Sequence, residues 1–310
     1  MEYEITSDLK LTESQAALLE MHSFVNLMSV LISELQTLES RYAQNGMFRD
    51  IIQEAVRKLE SFSHPESGRR HAEDLAQFEG KVLRVITRAM EKHPGKAVDP
   101  GIVELTENLE NVLSILGIHA REILSRNHEP EKWIPFEVEE LYHSLVRFLS
   151  ALEKNSKGKF RIVYNIADKQ EKDYMVGIQI NSIDGDVIVL PAVLTDLMRD
   201  LLANARKYTQ PGGRITFGLV DDGQQVRIVV DDTGRGIPEN EITSIVQFGV
   251  RASNVQPHET RGGGFGLTKA YFITRQFKGR MWIRSMPGQG TRITIHSPRE
   301  NQRNFLFPLF

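Results

Sequence analysis

The chain has 310 residues, with 38 basic and 41 acidic side chains and no cysteine. The nearly balanced charge excludes the strongly basic surface that nucleic acids and anionic membranes attract. The absence of cysteine excludes disulfide bonds and thiolate catalysis. No apolar run approaches the roughly 20 residues that cross a bilayer, and the first residues lack a signal-peptide pattern. We therefore expect a cytoplasmic protein of two domains, with no membrane segment and no nucleic-acid partner.

Residues 1–128 are predicted to form an all-helical domain. Between Leu11 and Tyr42 there is no proline or glycine, and apolar residues recur three and four positions apart, which predicts one helix of about 30 residues. Its coiled-coil-like seam is Leu18, Met21, Val25, Met28, Ile32 and Leu35. Helical spacing returns at 48–59, 71–90 and 102–125, with turn-forming residues between these stretches. We interpret this domain as a helical bundle.

Residues 129–300 are predicted to form a second domain of the α+β class. Helical spacing over 137–154 and 191–208 is interleaved with short β-rich runs. Two pairs of these runs, RITFGLV with QVRIVVDD and MWIRSMP with TRITIHS, are separated by residues typical of hairpin turns. This order predicts a sandwich in which helices cover one face of a mixed sheet. Residues 301–310 form an apolar tail that either docks on its own domain or binds a partner.

The helix predicted over 196–209 carries polar groups suited to a metal-bound phosphate. Its apolar residues share one face, whereas Asp200, Asn204 and Lys207 lie three to four positions apart on an adjoining stripe. Carboxylate and amide oxygens suit Mg²⁺, an ammonium group suits phosphate, and Tyr208 adds a flat surface. A merely solvated polar face would give the same pattern, so this stretch alone leaves both interpretations open.

A first glycine motif follows the strand QVRIVV. There Asp232 can accept a hydrogen bond from an exocyclic amine, which would select adenine, and Gly234 and Gly236 let a flat ligand approach the backbone. Taken alone, this pattern is a common turn.

A second glycine motif, RGGGFGLTK, begins at Arg261 and opens a helix. Gly262, Gly264 and Gly266 would expose backbone N–H groups to phosphate. The polar stretch between the two motifs, residues 239–261, suits a mobile lid that contains Phe248 and Arg251.

Together with the closing GQGTRITI, these elements resemble the ATP-binding domain of the GHKL superfamily, which includes histidine kinases, mitochondrial dehydrogenase kinases, DNA gyrase and the Hsp90 chaperones. The resemblance covers residues 133–298, and the wording ANARKYT is closest to histidine kinases. It implies ATP and Mg²⁺ as ligands. By position in the motifs, it assigns Asn204 to Mg²⁺, Lys207 to phosphate, Tyr208 to the pocket wall, Asp232 with Gly234 and Gly236 to adenine, Thr291 to water-mediated support of Asp232, and Gly262, Gly264, Gly266, Leu267 and Thr268 to the phosphates.

His22 is the candidate phosphoacceptor, because it follows a seam position directly. The stretch MHSFVNLMSVL resembles the phosphoacceptor box of histidine kinases, in which Asn26 matches the residue that orients water for dephosphorylating a partner. The family normally has an acidic residue where this chain has Ser23, and a hydroxyl supports the imidazole poorly. General-base assistance is worth about 10²–10⁴-fold. We therefore expect slow autophosphorylation, help from a carboxylate elsewhere, or a bias toward phosphatase activity.

Three functions remain open. The leading hypothesis is a sensor histidine kinase-like protein that phosphorylates His22, relays phosphate to a response-regulator receiver domain, and forms a homodimer through the helical bundle. The extra helices over 47–92 would thicken the dimer domain, receive a signal, or build a monomeric four-helix bundle like that of the mitochondrial dehydrogenase kinases. The last interpretation motivates a serine/threonine protein kinase, with Asp200 as the base toward a hydroxyl. The third is a catalytically inactive, ATP-gated binding module.

Overall fold

The computed structural model describes residues 1–42, 46–61, 74–126, 132–154, 156, 158–255 and 263–299. The chain divides into two compact units. The helical unit is Lys10–His128, and the sheet unit combines Met1–Leu9 with Glu129–Phe310. The first nine residues, which we predicted within the helical domain, thus belong to the sheet unit. The apolar tail lies outside the described residues. In the described part of the chain, no helix combines the length and apolar character needed to cross a membrane.

The described helices of the helical unit are Glu13–Glu20, His22–Tyr42, Arg49–Ser61, Leu75–Lys92, Pro94–Ala97 and Pro100–Arg126. Thr12 and Gln15 form a capping box before the first, because each side chain accepts the backbone N–H of the other, at 3.0 and 3.2 Å. The prediction of one continuous helix from Leu11 to Tyr42 is wrong, since Met21 forms a turn. Leu19 and Met21 are both buried, whereas residues two apart on one straight helix point to different sides.

The predicted seam lies inside the core of this unit. Four of its six positions are buried together with residues of the helices Arg49–Ser61, Leu75–Lys92 and Pro100–Arg126, namely Met21, Met28, Ile32 and Leu35. The other two, Leu18 and Val25, are half-buried. Three helices of the same chain therefore cover an apolar stripe that a two-helix hairpin would leave for a partner subunit.

The sheet unit contains nine strands in its described part: β1 (Glu2–Glu4), β2 (Trp133–Glu137), β3 (Ile162–Val163), β4 (Tyr174–Ser182), β5 (Val187–Pro191), β6 (Arg214–Asp221), β7 (Gln225–Asp232), β8 (Arg280–Met286) and β9 (Gly290–Pro298). Seven form a sheet of order β1-β8-β9-β7-β6-β4-β3, and β2 pairs with β5 separately. Strands β3, β4 and β6 run parallel, and the remaining neighbours run antiparallel. The predicted mixed sheet and both predicted hairpins, β6–β7 and β8–β9, are confirmed.

Three helices share one hydrophobic core with this sheet: Val138–Lys154, Val193–Tyr208 and Gly266–Gln276. We call Val193–Tyr208 the asparagine helix, because it contains Asn204. We call Gly266–Gln276 the glycine-loop helix, because it begins within the second glycine motif. The apolar face that was predicted for the asparagine helix is confirmed, since Leu197, Leu201 and Leu202 are fully buried. Burial of this face fixes the direction in which the polar stripe points.

The amino-terminal segment, residues 1–9, completes one edge of the sheet. Strand β1 pairs antiparallel with β8, and the backbone N–H of Ile5 donates to the carbonyl of Met281 at 2.8 Å. The Arg280 guanidinium donates to both carboxylate oxygens of Glu4, at 2.7 and 2.5 Å. These contacts explain why the segment leaves the helical unit, since β8 would otherwise present an unpaired edge.

Beyond β1 the same segment contacts residues around the second glycine motif. The Tyr271 hydroxyl, on the glycine-loop helix, donates to the Ser7 carbonyl at 2.8 Å. The Ser7 hydroxyl donates to the Thr243 carbonyl at 2.7 Å, and the Gln247 side chain donates to the Asp8 carbonyl at 3.4 Å. The amino-terminal segment therefore supports the stretch that lies between the two motifs.

Replacing Ile5 by alanine should destabilise the sheet unit by about 2–5 kcal/mol, because Ile5 is buried in its core and the substitution leaves a cavity. Both tryptophans of the chain, Trp133 and Trp282, belong to this unit, so tryptophan fluorescence during urea unfolding reports on it selectively. The control is Ile166→Ala, at a side chain that is 69% exposed, with an expected change of less than about 0.5 kcal/mol. Equal unfolding curves for the two variants would contradict the placement of the segment.

Candidate functional site

The asparagine helix and the glycine-loop helix meet at Asn204. A Cβ atom added to Gly266 would lie 2.4 Å from Asn204 Nδ2 and 3.2 Å from its Oδ1. A side chain at position 266 would therefore push the amide away. Gly266 is the first residue of its helix, and the first backbone N–H groups of a helix lack helical acceptors. The amide predicted to bind Mg²⁺ thus lies against the helix start predicted to bind phosphate.

The Asp232 turn meets the asparagine helix one turn beyond Asn204. The backbone N–H of Arg235 donates to the Tyr208 carbonyl at 3.1 Å. A Cβ on Gly234 would lie 2.5 Å from that same carbonyl oxygen, so the turn packs on the helix only because this residue is glycine. The turn after Asp232 therefore contacts the end of the helix at Tyr208, and Asn204 lies one helical turn before that contact.

The backbone conformation and packing at position 236 require glycine. Its φ is +70°, and a Cβ there would lie 2.0 Å from the Met286 carbonyl oxygen. L-residues with side chains avoid this conformation, and the carbonyl leaves no room for one. Close packing against β8 is therefore enough to account for glycine at this position.

The Asp232 carboxyl group is held by backbone donors in a buried setting. The Gly234 N–H donates to its Oδ1 at 2.7 Å. Thr291, which was predicted to support Asp232 through water, faces it across β7 and β9, and its backbone N–H acts to lower the pKa of this carboxyl group. Burial outweighs these hydrogen bonds and raises the pKa of Asp232 to about 6. A buried acceptor with a perturbed pKa at a strand end is typical of a ligand-binding position.

Lys207, which follows Asn204 by three residues on the asparagine helix, lies near other cationic side chains. Burial, together with the positive charges of Arg251 and Arg206, lowers the pKa of Lys207 to about 8. A Cβ on Gly264 would lie 3.0 Å from Arg251 Cγ, so Arg251 also borders the second glycine motif. A bound anion would relieve the repulsion among these cations. The cluster therefore suits an anion, and phosphate binding by Lys207 stays a prediction.

The second glycine motif contributes structure as well as backbone N–H groups. Gly264 has φ +78°, and a Cβ there would lie 2.6 Å from the Val250 carbonyl oxygen. The Thr268 hydroxyl is fully buried and donates to the Gln247 carbonyl at 3.0 Å, so this residue holds the loop, while Leu267 is half-buried. Gly262 lies outside the described residues.

The stretch predicted to be a mobile lid is anchored in the core by several of its residues between 239 and 255. Ile242, Ile245 and Val246 are buried in the core of the sheet unit. The rings of Phe248 and Phe265 lie 4.8 Å apart, which joins this stretch to the glycine motif. The remaining residues of the predicted lid, 256–261, lie outside the described residues.

Lys269 is a residue of the site that sequence reasoning missed. Its side chain is 4% exposed, and its Nζ lies 2.7 Å from Oδ2 of Asp200. Asp200 precedes Asn204 by one helical turn, and Lys269 follows Gly266 by three residues, so the same two helices meet at two successive points. A sequence signal for Lys269 exists, since it lies among residues with apolar helical spacing, which predicts that its side chain is buried. A lysine is rarely buried unless it is paired, so a buried lysine predicts an acidic partner.

The residues predicted for phosphotransfer lie in the helical unit. His22 is the first residue of the helix His22–Tyr42, and Asn26 follows one turn later in the same helix. The side chains of both residues, and that of Ser23, lie outside what the structure describes.

The donors present in the site fit a hydrated divalent cation. Within the described ranges, no group of three or more His, Cys, Asp or Glu side chains could hold a metal ion. Mg²⁺ in nucleotide sites usually takes one or two protein oxygens and completes its octahedron with water and phosphate. Asn204, next to a helix start and a cationic cluster, matches that requirement.

Comparison with known proteins decides the family of this site. Residues 190–301 match the family model described as histidine kinase-, DNA gyrase B- and HSP90-like ATPase. This segment is a GHKL ATPase domain. The match contains the asparagine helix, both glycine motifs and the closing hairpin, so the resemblance inferred from the motifs is confirmed.

The relatives of the GHKL domain are sensor kinases. It is similar to the adaptive-response sensory kinase SasA of Synechococcus elongatus, with 37% identity over 38% of this chain and 31% of that protein. The sensor histidine kinase RppB of Synechocystis is 35% identical over 33% of this chain and 22% of that protein. The sensor histidine kinase WalK of Bacillus subtilis is 27% identical over 51% of this chain and 25% of that protein. The matched stretch thus spans less than a third of each relative.

The raised pKa of Asp232 predicts a pH-dependent stability. Because the folded-state pKa of about 6 exceeds the ordinary value of 3.8, ionisation is disfavoured in the folded GHKL domain, and stability is lost as pH rises from about 4 to about 6. Asp232→Asn removes this effect. Its free energy of unfolding, measured by tryptophan fluorescence in urea, should therefore rise relative to wild type between pH 4 and pH 7, by up to about 3 kcal/mol.

Asp222 provides a matched control of opposite sign. Backbone N–H groups of Gln225 and Gln224 lower the pKa of Asp222, so this carboxylate stabilises the fold above its ordinary pKa and ceases to do so at lower pH. Asp222→Asn should lose stability relative to wild type as pH rises. The same pH trend in both variants would contradict the assignment for Asp232.

Proposed function

We propose that this chain is a histidine kinase-like protein that binds Mg-ATP in its GHKL domain, transfers the γ-phosphoryl group to His22, and relays it to an aspartate of a response-regulator receiver domain. One observation carries the nucleotide part of this proposal. The Asn204 amide, the start of the glycine-loop helix and the Lys207–Arg251 cluster lie together at one end of the asparagine helix, with Asp232 at the other side of the same region.

Each group has a role that follows from its chemistry. Asp232 would accept a hydrogen bond from the amino group of adenine, and the ring of Tyr208 would line the pocket. Lys207 and Arg251 would contact phosphate oxygens, together with backbone N–H groups at Gly264 and Gly266. Asn204 would hold Mg²⁺, which when bound neutralises charge on the phosphates. These roles need no protein carboxylate at the metal, in accord with the donors present.

The phosphotransfer part rests on the sequence around His22. The lone pair of a neutral imidazole nitrogen would form the bond to the γ-phosphorus, while the bond from that phosphorus to the bridging oxygen breaks and ADP leaves. In the second step, an aspartate oxygen of the receiver domain would displace the imidazole. Ser23 replaces the usual acidic neighbour, so the first step should be slow and the net activity biased toward dephosphorylation.

A second candidate function is supported by the helical unit. Its four principal helices close one core within a single chain, which satisfies the apolar face of the His22 helix without a partner subunit. This arrangement favours a serine/threonine protein kinase, in which Asp200 would act as base toward a substrate hydroxyl. A nucleotide-gated binding module without catalysis is the third candidate.

Incubation with γ-labelled ATP distinguishes these functions. We expect the protein to acquire a label that is lost in acid and retained in base, because a phosphoramidate bond hydrolyses when its nitrogen is protonated. His22→Ala should abolish the label. The matched control is His143→Ala, which removes a histidine whose side chain is 53% exposed and should retain the label.

Three other outcomes would contradict the leading proposal. An acid-stable label on a serine or threonine that disappears in Asp200→Asn supports the second candidate. Mg-ATP binding without transfer to this chain or to a receiver domain supports the binding module. Full labelling of His22→Ala would place the phosphoacceptor elsewhere, and the other histidines would be replaced in turn.

A further inference from the structure

The Asp200–Lys269 ion pair forms a second contact between the two helices that frame the phosphate end of the site. The first contact joins Asn204 to Gly266, and the second joins Asp200 to Lys269 at 2.7 Å. Asp200 and Asn204 are four residues apart, and Gly266 and Lys269 are three apart, so each pair lies on one face of its helix. Two contacts in line fix both the separation and the rotation of the helices.

The pair is nearly removed from water. The Lys269 side chain is 4% exposed and that of Asp200 is 17% exposed. Two opposite charges that are buried in this way stay in contact, because neither side chain can reach water by itself. Removing one partner leaves an uncompensated buried charge. Buried ion pairs add little net stability, and in some proteins they specify a unique geometry instead. The pair carries no net charge, so Asp200 does not repel phosphates that bind nearby.

We propose that the Asp200–Lys269 pair is a positioning device for the triphosphate, which holds the first turn of the glycine-loop helix against the metal-binding face of the asparagine helix. This inference rests on the proposed binding of Mg-ATP. In it Asp200 serves as a positioning residue and not as a base. The geometry also makes the device selective, because the adenine end of the site depends on Asp232 at the end of β7, on Gly234 in the turn that follows, and on β9.

Loss of the pair should therefore weaken the binding of the phosphates more than the binding of the adenosine part of the ligand. Small displacements of groups that hold a reacting ligand change its binding or reaction by one to two orders of magnitude. We expect the Kd for Mg-ATP to rise at least about tenfold in Lys269→Met. The Kd for adenosine, which lacks phosphates, should change by less than about threefold.

The experiment is a double-mutant cycle of Asp200→Asn, Lys269→Met and the double variant, with Kd measured for Mg-ATP by calorimetry and for adenosine by ligand-detected NMR. The double variant removes both buried charges, so it should regain thermal stability relative to Lys269→Met while its affinity for Mg-ATP stays low. Lys269→Arg keeps the charge and should bind Mg-ATP more tightly than Lys269→Met. Lys172→Met, at an exposed position of the same unit, controls for the change in net charge.

The possible results separate this inference from the proposed function. Wild-type affinity for Mg-ATP in the double variant would show that the pair is only structural and would overturn the inference. Equal losses for adenosine and Mg-ATP would also overturn it, because they indicate general damage. Unchanged Mg-ATP affinity in Asp200→Asn, with loss of transfer to a hydroxyl, would establish Asp200 as a base instead. If wild type fails to bind Mg-ATP, the proposed function falls, and the inference falls with it.

Discussion

The site depends on the close approach of the Asn204 amide to Gly266, because this contact brings a side chain that suits a metal to a helix start that suits phosphate. The approach requires a residue without Cβ at the first position of the glycine-loop helix. It also requires that the apolar face of the asparagine helix be buried in the sheet unit, since a small rotation of that helix would turn Asn204 away. The asparagine helix therefore serves both the core and the site, because burial of its apolar face orients Asn204.

The sequence predicts much of this arrangement because its signals are local. Helical spacing locates the asparagine helix, turn residues locate the two hairpins, and glycines mark the backbone turns at Gly234 and Gly264. The family motifs then relate these elements to one another. What local patterns do not contain is pairing at long range. Strand β1 is three residues long and pairs with β8 near the other end of the chain, so no periodicity predicts it. The spacing around Lys269 places it on a buried helix face, but only the fold shows that Asp200 is its partner.

The seam of the helix His22–Tyr42 shows a different limit of prediction from sequence. Its period correctly indicates an apolar stripe, and most of its positions are buried. Periodicity does not say what covers the stripe, however. A partner helix from a second subunit and a helix of the same chain give the same pattern. The structure assigns the covering helices to the same chain, which makes the extra helices between the His22 helix and Pro100–Arg126 part of one core.

The measurement that tests the central claim most directly is a crystal structure with Mg²⁺ and a non-hydrolysable ATP analogue. We predict one nucleotide, with its adenine amino group within hydrogen-bond distance of Asp232, Mg²⁺ bound by Oδ1 of Asn204, and phosphates between Lys207 and the start of the glycine-loop helix. A nucleotide bound elsewhere, or an Asn204 amide that contacts neither metal nor phosphate, would contradict the account.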